Sequence, residues 1–126
     1  MVRVLVVDDD PVIRRLLELN LELDGHQVSS QPDGRAGLDA IVADPPDVVL
    51  LDVMMPHLDG FEVCAAVRDH DDPLVASTPI ILLSAKAQQA DLDAGAAVGA
   101  DSYVTKPFDP LELVAEVERL ARPVSG

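Results

Sequence analysis

Asp8, Asp9 and Asp10 stand together, Asp52 closes an apolar run, and Ser84 and Lys106 each follow a further apolar run. Carboxylates gathered in one place repel one another and raise each other's pKa, so such a group makes sense around a cation. A hard divalent ion that takes oxygen ligands and keeps waters, Mg2+ or Mn2+, suits one or two carboxylates together with phosphate oxygens. The Ser84 hydroxyl and the Lys106 ammonium then offer a donor and a positive charge to a phosphoryl group. Phosphoryl transfer needs little else, because positioning and neutralisation of spread negative charge supply most of the acceleration. Taken singly, each residue has a plainer reading: Ser84 in a turn, Lys106 a solvated charge, Asp8 to Asp10 a capping cluster, Asp52 a cap for the next helix. The chemistry requires a fold that brings them together.

The pattern of the chain supplies one. Arg3 to Val7 reads as a strand, and Asp10 before Pro11 caps a helix that presents Ile13, Leu16, Leu17 and Leu21 inward and closes at Asp24-Gly25. A weaker strand follows over His26 to Ser30, then a turn at Asp33-Gly34 and a helical face of Leu38, Ile41 and Val42, broken at Asp44-Pro45-Pro46. Val48 to Leu51 is an unbroken apolar run ending on Asp52, the mark of a buried parallel strand. Gly60 to Asp69 is expected to be a helix with Phe61, Cys64 and Val67 inward, Asp69 to Thr78 a loop, and Pro79 to Leu83 a strand ending at Ser84. A helix over Ala87 to Val98 carries Gly95, which weakens it by about 1 kcal/mol relative to alanine, so mobility is expected there. A strand over Ser102 to Thr105 precedes Lys106-Pro107, and Asp109-Pro110 opens a last helix with Leu113, Val114, Val117, Leu120 and Ala121 on one face. Strands alternating with helices call for a parallel sheet covered on both sides, and such a sheet places its strand ends along one edge.

Composition bounds the function. The 126 residues fit one domain, and aromatics at 2% leave the core to Val, Leu, Ile and Ala. A net charge of −14 repels phosphate backbones and anionic membranes, which argues against direct nucleic-acid or membrane binding. Cys64 is the lone cysteine, expected in the core, and no signal peptide or membrane span is evident, so a reducing cytoplasm is the simplest setting. No repeat or internal linker interrupts residues 1–122, read as one domain, while 123–126 reads as a tail or the start of a linker. His26, His57 and His70 are expected at the surface, Met54 and Met55 do not make a soft metal site, and Gly95 and Gly99 do not make a dinucleotide loop.

The segments LVVDDDP, LLDVMMPHLDG, IILLSAK and YVTKPF together resemble the response-regulator receiver domain of two-component signalling systems, over essentially the whole chain. The resemblance implies a flavodoxin-like (βα)5 three-layer sandwich with strand order 2-1-3-4-5. It implies Asp52 as acceptor of a phosphoryl group from the phosphohistidine of a sensor histidine kinase or phosphotransfer protein. Asp9 would ligate Mg2+ directly, Asp8 largely through water, and the Met54 backbone carbonyl would supply a third ligand beside Asp52. Ser84 matches the switch hydroxyl, in place of the commoner threonine. Tyr103 matches the aromatic that changes rotamer with it, Lys106 the phosphate-binding lysine, and Lys106-Pro107 a cis peptide. The protein is then a phosphoacceptor switch that assists its own phosphorylation and dephosphorylation, not an enzyme acting on other substrates.

Two rival readings remain at this stage. A phosphatase resembling the haloacid dehalogenase superfamily also uses an aspartyl phosphate, and Asp8-Asp9-Asp10 contains its D-x-D pattern, but no acidic motif follows the lysine at a further strand end. A pseudo-receiver that never takes phosphate would not be expected to keep Asp8, Asp9, Asp52, Ser84 and Lys106. Output is expected on the face made by the helix over 87–98, the strand at Tyr103 and the final helix. No Lys or Arg lies between Ala87 and Thr105, and the last helix adds only Arg119 and Arg122, so a charge-paired dimer is not expected; a monomer or weak dimer that binds an unknown downstream protein or effector domain is. Met54 and Lys86 lie two residues beyond Asp52 and Ser84. In resembling receivers these positions border the path of the attacking water, which suggests slow loss of the phosphoryl group.

Overall fold

A computed structural model describes residues 1–86 and 88–122, so the expected helix start at Ala87 and the tail at 123–126 lie outside the described residues. Five strands, β1 (Arg3–Val7), β2 (Gln27–Gln31), β3 (Val48–Asp52), β4 (Ile80–Ser84) and β5 (Ser102–Thr105), form one parallel sheet in the order β2-β1-β3-β4-β5. Helices α1 (Pro11–Leu23), α2 (Gly34–Ala43), α3 (Gly60–Arg68), α4 (Pro73–Ala76), α5 (Gln89–Ala97) and α6 (Pro110–Leu120) connect and cover it.

The period of two along each strand sorts the aliphatic side chains into two layers. Leu5, Val7, Val49, Leu51, Ile80 and Leu82 face one way and meet Ile41 of α2 and Val63, Cys64 and Val67 of α3. Val4, Val6, Val48, Leu50, Ile81 and Leu83 face the other and meet Leu17 and Leu21 of α1 and Leu113, Val114 and Val117 of α6. Every residue of β3 and β4 is buried, as expected of central parallel strands covered on both faces. Each buried leucine contributes about 2 kcal/mol of transfer free energy.

Several boundaries differ from expectation for identifiable reasons. β2 begins at Gln27, because the His26 N–H is used to close α1 on the Leu21 carbonyl. The expected loop over 69–78 contains α4, capped by Asp72 with Pro73 in its first turn, the same Asp-Pro device that opens α1 and α6. Leu16 and Val42 were expected to face the core and are each 40% exposed. Leu16 lies on a line with Val12, Leu19 and Leu23 along the outer side of α1, opposite Leu17 and Leu21.

The glycine of helix α5 also has a packing role. A Cβ at Gly95 would stand 2.9 Å from Cδ2 of Tyr103 and 3.3 Å from Cδ1 of Leu82, so the glycine lets α5 lie close against β5.

His26 is not a surface residue. Its side chain is 8% exposed, Nδ1 accepts the Val2 N–H at 3.2 Å, and Nε2 faces Glu118 at 3.5 Å. A ring nitrogen that accepts an N–H leaves the other nitrogen to carry the proton, so Nε2 offers no lone pair, and it stands near Glu118 without a hydrogen bond. The grouping of Asp24, His26 and Glu118 is therefore not arranged as a metal site.

The end of the sheet where β1, β3 and β4 begin is held by paired arginines. Arg68 donates to the carbonyls of Gly99, Ala76 and Thr78 and to Asp101, whose carboxylate also accepts the Ile80 N–H. Arg122 donates to the Thr78 hydroxyl and the Leu74 carbonyl, and Arg3 to Asp44.

Candidate functional site

Sheet register gathers the acidic residues. Val7 is paired with Leu51, so the next residues, Asp8 and Asp52, emerge side by side, and β4 delivers Ser84 next to Thr105 of β5. Asp8 and Asp52 are buried at 0% and 3% exposure, whereas Asp9 is exposed at the rim. One carboxylate oxygen from each of Asp8, Asp9 and Asp52 can be chosen so that all lie within 4.8 Å of one another. Lys106 reaches in from the end of β5, its Nζ 3.3 Å from Asp8 and 3.2 Å from Asp52. The Lys106 N–H donates to the Ser84 carbonyl at 2.8 Å, and the Lys106-Pro107 peptide is cis, as expected.

The charges are unequally matched. Burial first, and then the neighbouring Asp8 carboxylate, push the Asp52 carboxyl up to about 6, against the opposing pull of Lys106. Burial also works against the Lys106 ammonium, but Asp8 and Asp52 outweigh it and hold it above its ordinary value. Two buried carboxylates thus share one ammonium, and the pocket retains negative charge. Three clustered carboxylates of hard oxygen donors fit a divalent cation of the magnesium type.

The surrounding loops are tied to the acidic cluster by backbone N–H groups. Asp10 turns back at the rim, its N–H donating to Asp8 at 2.9 Å while its own carboxylate caps α1 through Val12 and Ile13. The Met54 N–H donates to Asp52 at 3.3 Å, the Met54 side chain is 53% exposed, and Met54 and Lys86 line a common cavity of about 450 Å³ with Asp59, Phe61 and Asp91. Ser84 is buried, its Oγ accepting the Lys86 N–H at 3.0 Å, and the Tyr103 hydroxyl donates to the Lys86 carbonyl at 2.8 Å. His57 is exposed in the loop, at a φ of 69°, and makes no contact with the cluster.

Three contributors escaped sequence reasoning. Gly60 permits the close return of α3, since a Cβ there would meet the Asp52 carbonyl oxygen at 2.5 Å and Cα of Val53 at 2.8 Å. Arg14 donates to the Asp8 carbonyl at 2.7 Å, holding the corner between β1 and α1. Asp59 and Glu62 form a reciprocal capping box that starts α3, a D-x-x-E spacing that was readable in the sequence. Cys64, expected in the core, is fully buried, and burial pushes its thiol up to about 11, so it is unreactive packing.

Among known proteins, residues 4–118 match the family described as the response regulator receiver domain. The chain is 48% identical over 119 residues to the transcriptional regulatory protein CseB of Streptomyces coelicolor, covering 94% of this chain and 49% of that protein. It is 46% identical over 121 residues to the response regulator MprA of Mycolicibacterium vanbaalenii, covering 96% of this chain and 51% of that one. The chain spans about half the length of these curated relatives. Among solved structures, the chemotaxis protein CheY4 of Vibrio cholerae superposes with a TM-score of 0.87 at 35% identity, over 95% of this chain and 98% of its own. Parallel order 2-1-3-4-5, an acidic pocket at the strand ends and these matches agree: the chain belongs to the response regulator receiver domains of two-component systems, with their flavodoxin-like fold.

Proposed function

We propose that Asp52 is the phosphoacceptor of this switch, and that a sensor histidine kinase or phosphotransfer protein is the donor. The observation that carries the reading is the placement of Asp52: buried at a strand end, beside Asp8 and 3.2 Å from Lys106, with Asp9 at the rim. An Asp52 carboxylate oxygen attacks the phosphorus of a phosphohistidine, the P–N bond breaks, and the imidazole nitrogen keeps the electron pair and takes a proton from solvent. Asp8, Asp9, Asp52 and the Met54 carbonyl would hold Mg2+, which when bound supplies positive charge to the phosphoryl oxygens. Lys106 neutralises an oxygen of the transferred group, and the Ser84 hydroxyl donates to another.

The donor protein is proposed to approach over α1. Val12 begins the exposed apolar line of Leu16, Leu19 and Leu23 immediately after the Asp8–Asp10 corner, so a protein that brings an imidazole to Asp52 would cover it. The output is proposed to leave through α5, β5 and α6, the elements rooted at Ser84 and Lys106, and to reach an effector or partner protein without a charge-paired dimer. The relative CseB is a transcriptional regulatory protein, and control of such an output belongs to this proposal. Among the described residues no helix is long and apolar enough to cross a membrane, and cytoplasmic residence is proposed with the rest.

Acetyl phosphate with Mg2+ tests the reading by intact-mass measurement. The expected result is addition of one phosphoryl group to the parent protein and none to Asp52→Asn. Modification that persists in that variant reassigns the acceptor, and an unmodified parent favours a pseudo-receiver. Sustained turnover of p-nitrophenyl phosphate would point to phosphatase chemistry instead.

A further inference from the structure

Methionine sulfur is oxidised where it meets solvent, so the three methionines of the chain are not equivalent. Met55 is 7% exposed and belongs to the core on the α2 and α3 side of the sheet. Met1 is exposed, but it stands ahead of β1, at the end of the sheet away from the acidic residues. Met54 is 53% exposed, and its own N–H donates to the Asp52 carboxylate at 3.3 Å. It shares an open cavity of about 450 Å³ with Lys86, Asp59, Phe61 and Asp91. The lone thiol does not compete for an oxidant, because Cys64 is fully buried and burial pushes it up to about 11, which leaves little thiolate. Met54 is thus the one sulfur that is both open to solvent and beside the acidic pocket.

We propose that Met54 is a modification site: oxidation of its thioether to the sulfoxide by hydrogen peroxide gives the pocket a redox input that shortens the life of the phosphoryl group on Asp52. The sulfur lone pair attacks one peroxide oxygen and the O–O bond breaks. The proton on the transferred oxygen passes to the departing hydroxide, which leaves as water, so the two-electron oxidation of sulfur is matched by reduction of the peroxide. The product carries a polar S=O where the thioether accepts hydrogen bonds only weakly. In the cavity shared with Lys86, that oxygen is an acceptor for the Lys86 ammonium, which it draws off the phosphoryl oxygens, and for a water approaching the phosphorus. Both changes favour hydrolysis. The functional half of the inference rests on the receiver reading, and the selectivity of oxidation rests on exposure alone.

In the full chain without Mg2+ or phosphodonor, brief peroxide treatment followed by peptide mapping is expected to show sulfoxide at Met54 forming about tenfold faster than at Met55. After phosphorylation by acetyl phosphate with Mg2+, the Met54-oxidised protein is expected to lose its phosphoryl group about threefold faster than untreated protein, and methionine sulfoxide reductase with dithiothreitol to restore the untreated rate. Met54→Leu removes the sulfur, and peroxide is expected to leave that variant's own decay rate where it was, although Met1 is still oxidised in it. Met54→Gln carries a carbonyl oxygen at the sulfoxide's place and is expected to decay faster than Met54→Leu without any oxidant. Equal decay with and without Met54 sulfoxide overturns the proposal, as does the same acceleration by peroxide in Met54→Leu. If oxidation unfolds the chain, Met54→Gln against Met54→Leu decides: faster decay supports the proposal and equal decay overturns it. A map in which Met55 reacts before Met54 sinks the inference and leaves the receiver reading intact. A parent that takes up no phosphoryl group sinks the receiver reading and the functional half with it, while the map still decides the modification.

Discussion

The two ends of the parallel sheet handle charge in opposite ways. At the end where β1, β3 and β4 begin, Arg68 satisfies three carbonyls and one carboxylate, and that carboxylate also receives a backbone N–H. At the other end, Asp8 and Asp52 are as deeply buried as core leucines and share a single ammonium, leaving Asp52 with a carboxyl raised to about 6. Fully matched charge ties loops together. Undermatched buried charge costs stability, and it marks the place where we propose that a cation and a phosphoryl group are received.

Four measurements would break or sharpen that contrast. Lys106→Ala removes the ammonium that contacts both Asp8 and Asp52, and phosphorylation by acetyl phosphate is expected to slow by about 10²- to 10³-fold while the fold persists. A rate within a few-fold of the parent would place phosphate neutralisation elsewhere. Arg68→Ala strips the opposite end and is expected to cost about 2–3 kcal/mol in urea unfolding, with no change in phosphorylation of the folded molecules. Slower phosphorylation at unchanged stability would reverse the roles assigned to the two ends.

The pH dependence follows from Asp52. Its folded-state pKa lies above the unfolded value, so the native state binds more protons between the two, and this group's unfavourable contribution grows as pH rises through about 6. Without divalent ions, Asp52→Asn is therefore expected to be more stable than the parent at pH 7.5, by on the order of 2 kcal/mol, with the gap closing below about pH 4. A constant gap across that range would show that Asp52 titrates normally. The smallest effect concerns the open cavity beside the pocket. Met54 cannot orient water, and Lys86 can shield phosphoryl oxygens, so Met54→Asn with Lys86→Glu is expected to speed loss of the phosphoryl group about fivefold. Matched decay time courses that coincide would assign both side chains to solvent.

The sequence made the candidate site at the strand ends legible because these apolar runs stop on or just before a polar candidate residue, and parallel connectivity leaves those residues one edge to share. Asp52 and Ser84 close fully buried strands, and Asp8, Asp9 and Lys106 lie just beyond theirs. Helix starts were legible where aspartate precedes proline, and α4 was overlooked although Asp72-Pro73 repeats that signal in only a four-residue helix. Contacts distant in sequence were not legible. Nothing in the spacing of Arg68 points to Gly99 and Asp101, and Gly95 read as a weak point because propensity sees a missing side chain but not the ring that occupies its place. Leu16 was misplaced because α1 carries apolar residues on two sides, and pattern alone does not say which side the sheet will take.

The order β2-β1-β3-β4-β5 also sets a timetable for synthesis. β1 leaves the ribosome first and belongs at an interior position, with β2 on one side and β3 on the other. Its second edge stays bare until Val48 to Asp52 has emerged, so until then the nascent chain carries a largely aliphatic ribbon with one edge unpaired, the period in which off-pathway pairing is easiest. Once β3 docks, β4 and β5 each add to an edge that already exists, and each later pairing joins strands closer in sequence than β1 and β3 are. Arg3, pinned to Asp44 and to the Asp47 carboxylate just ahead of β3, ties the start of the first ribbon to the strand that ends its exposure.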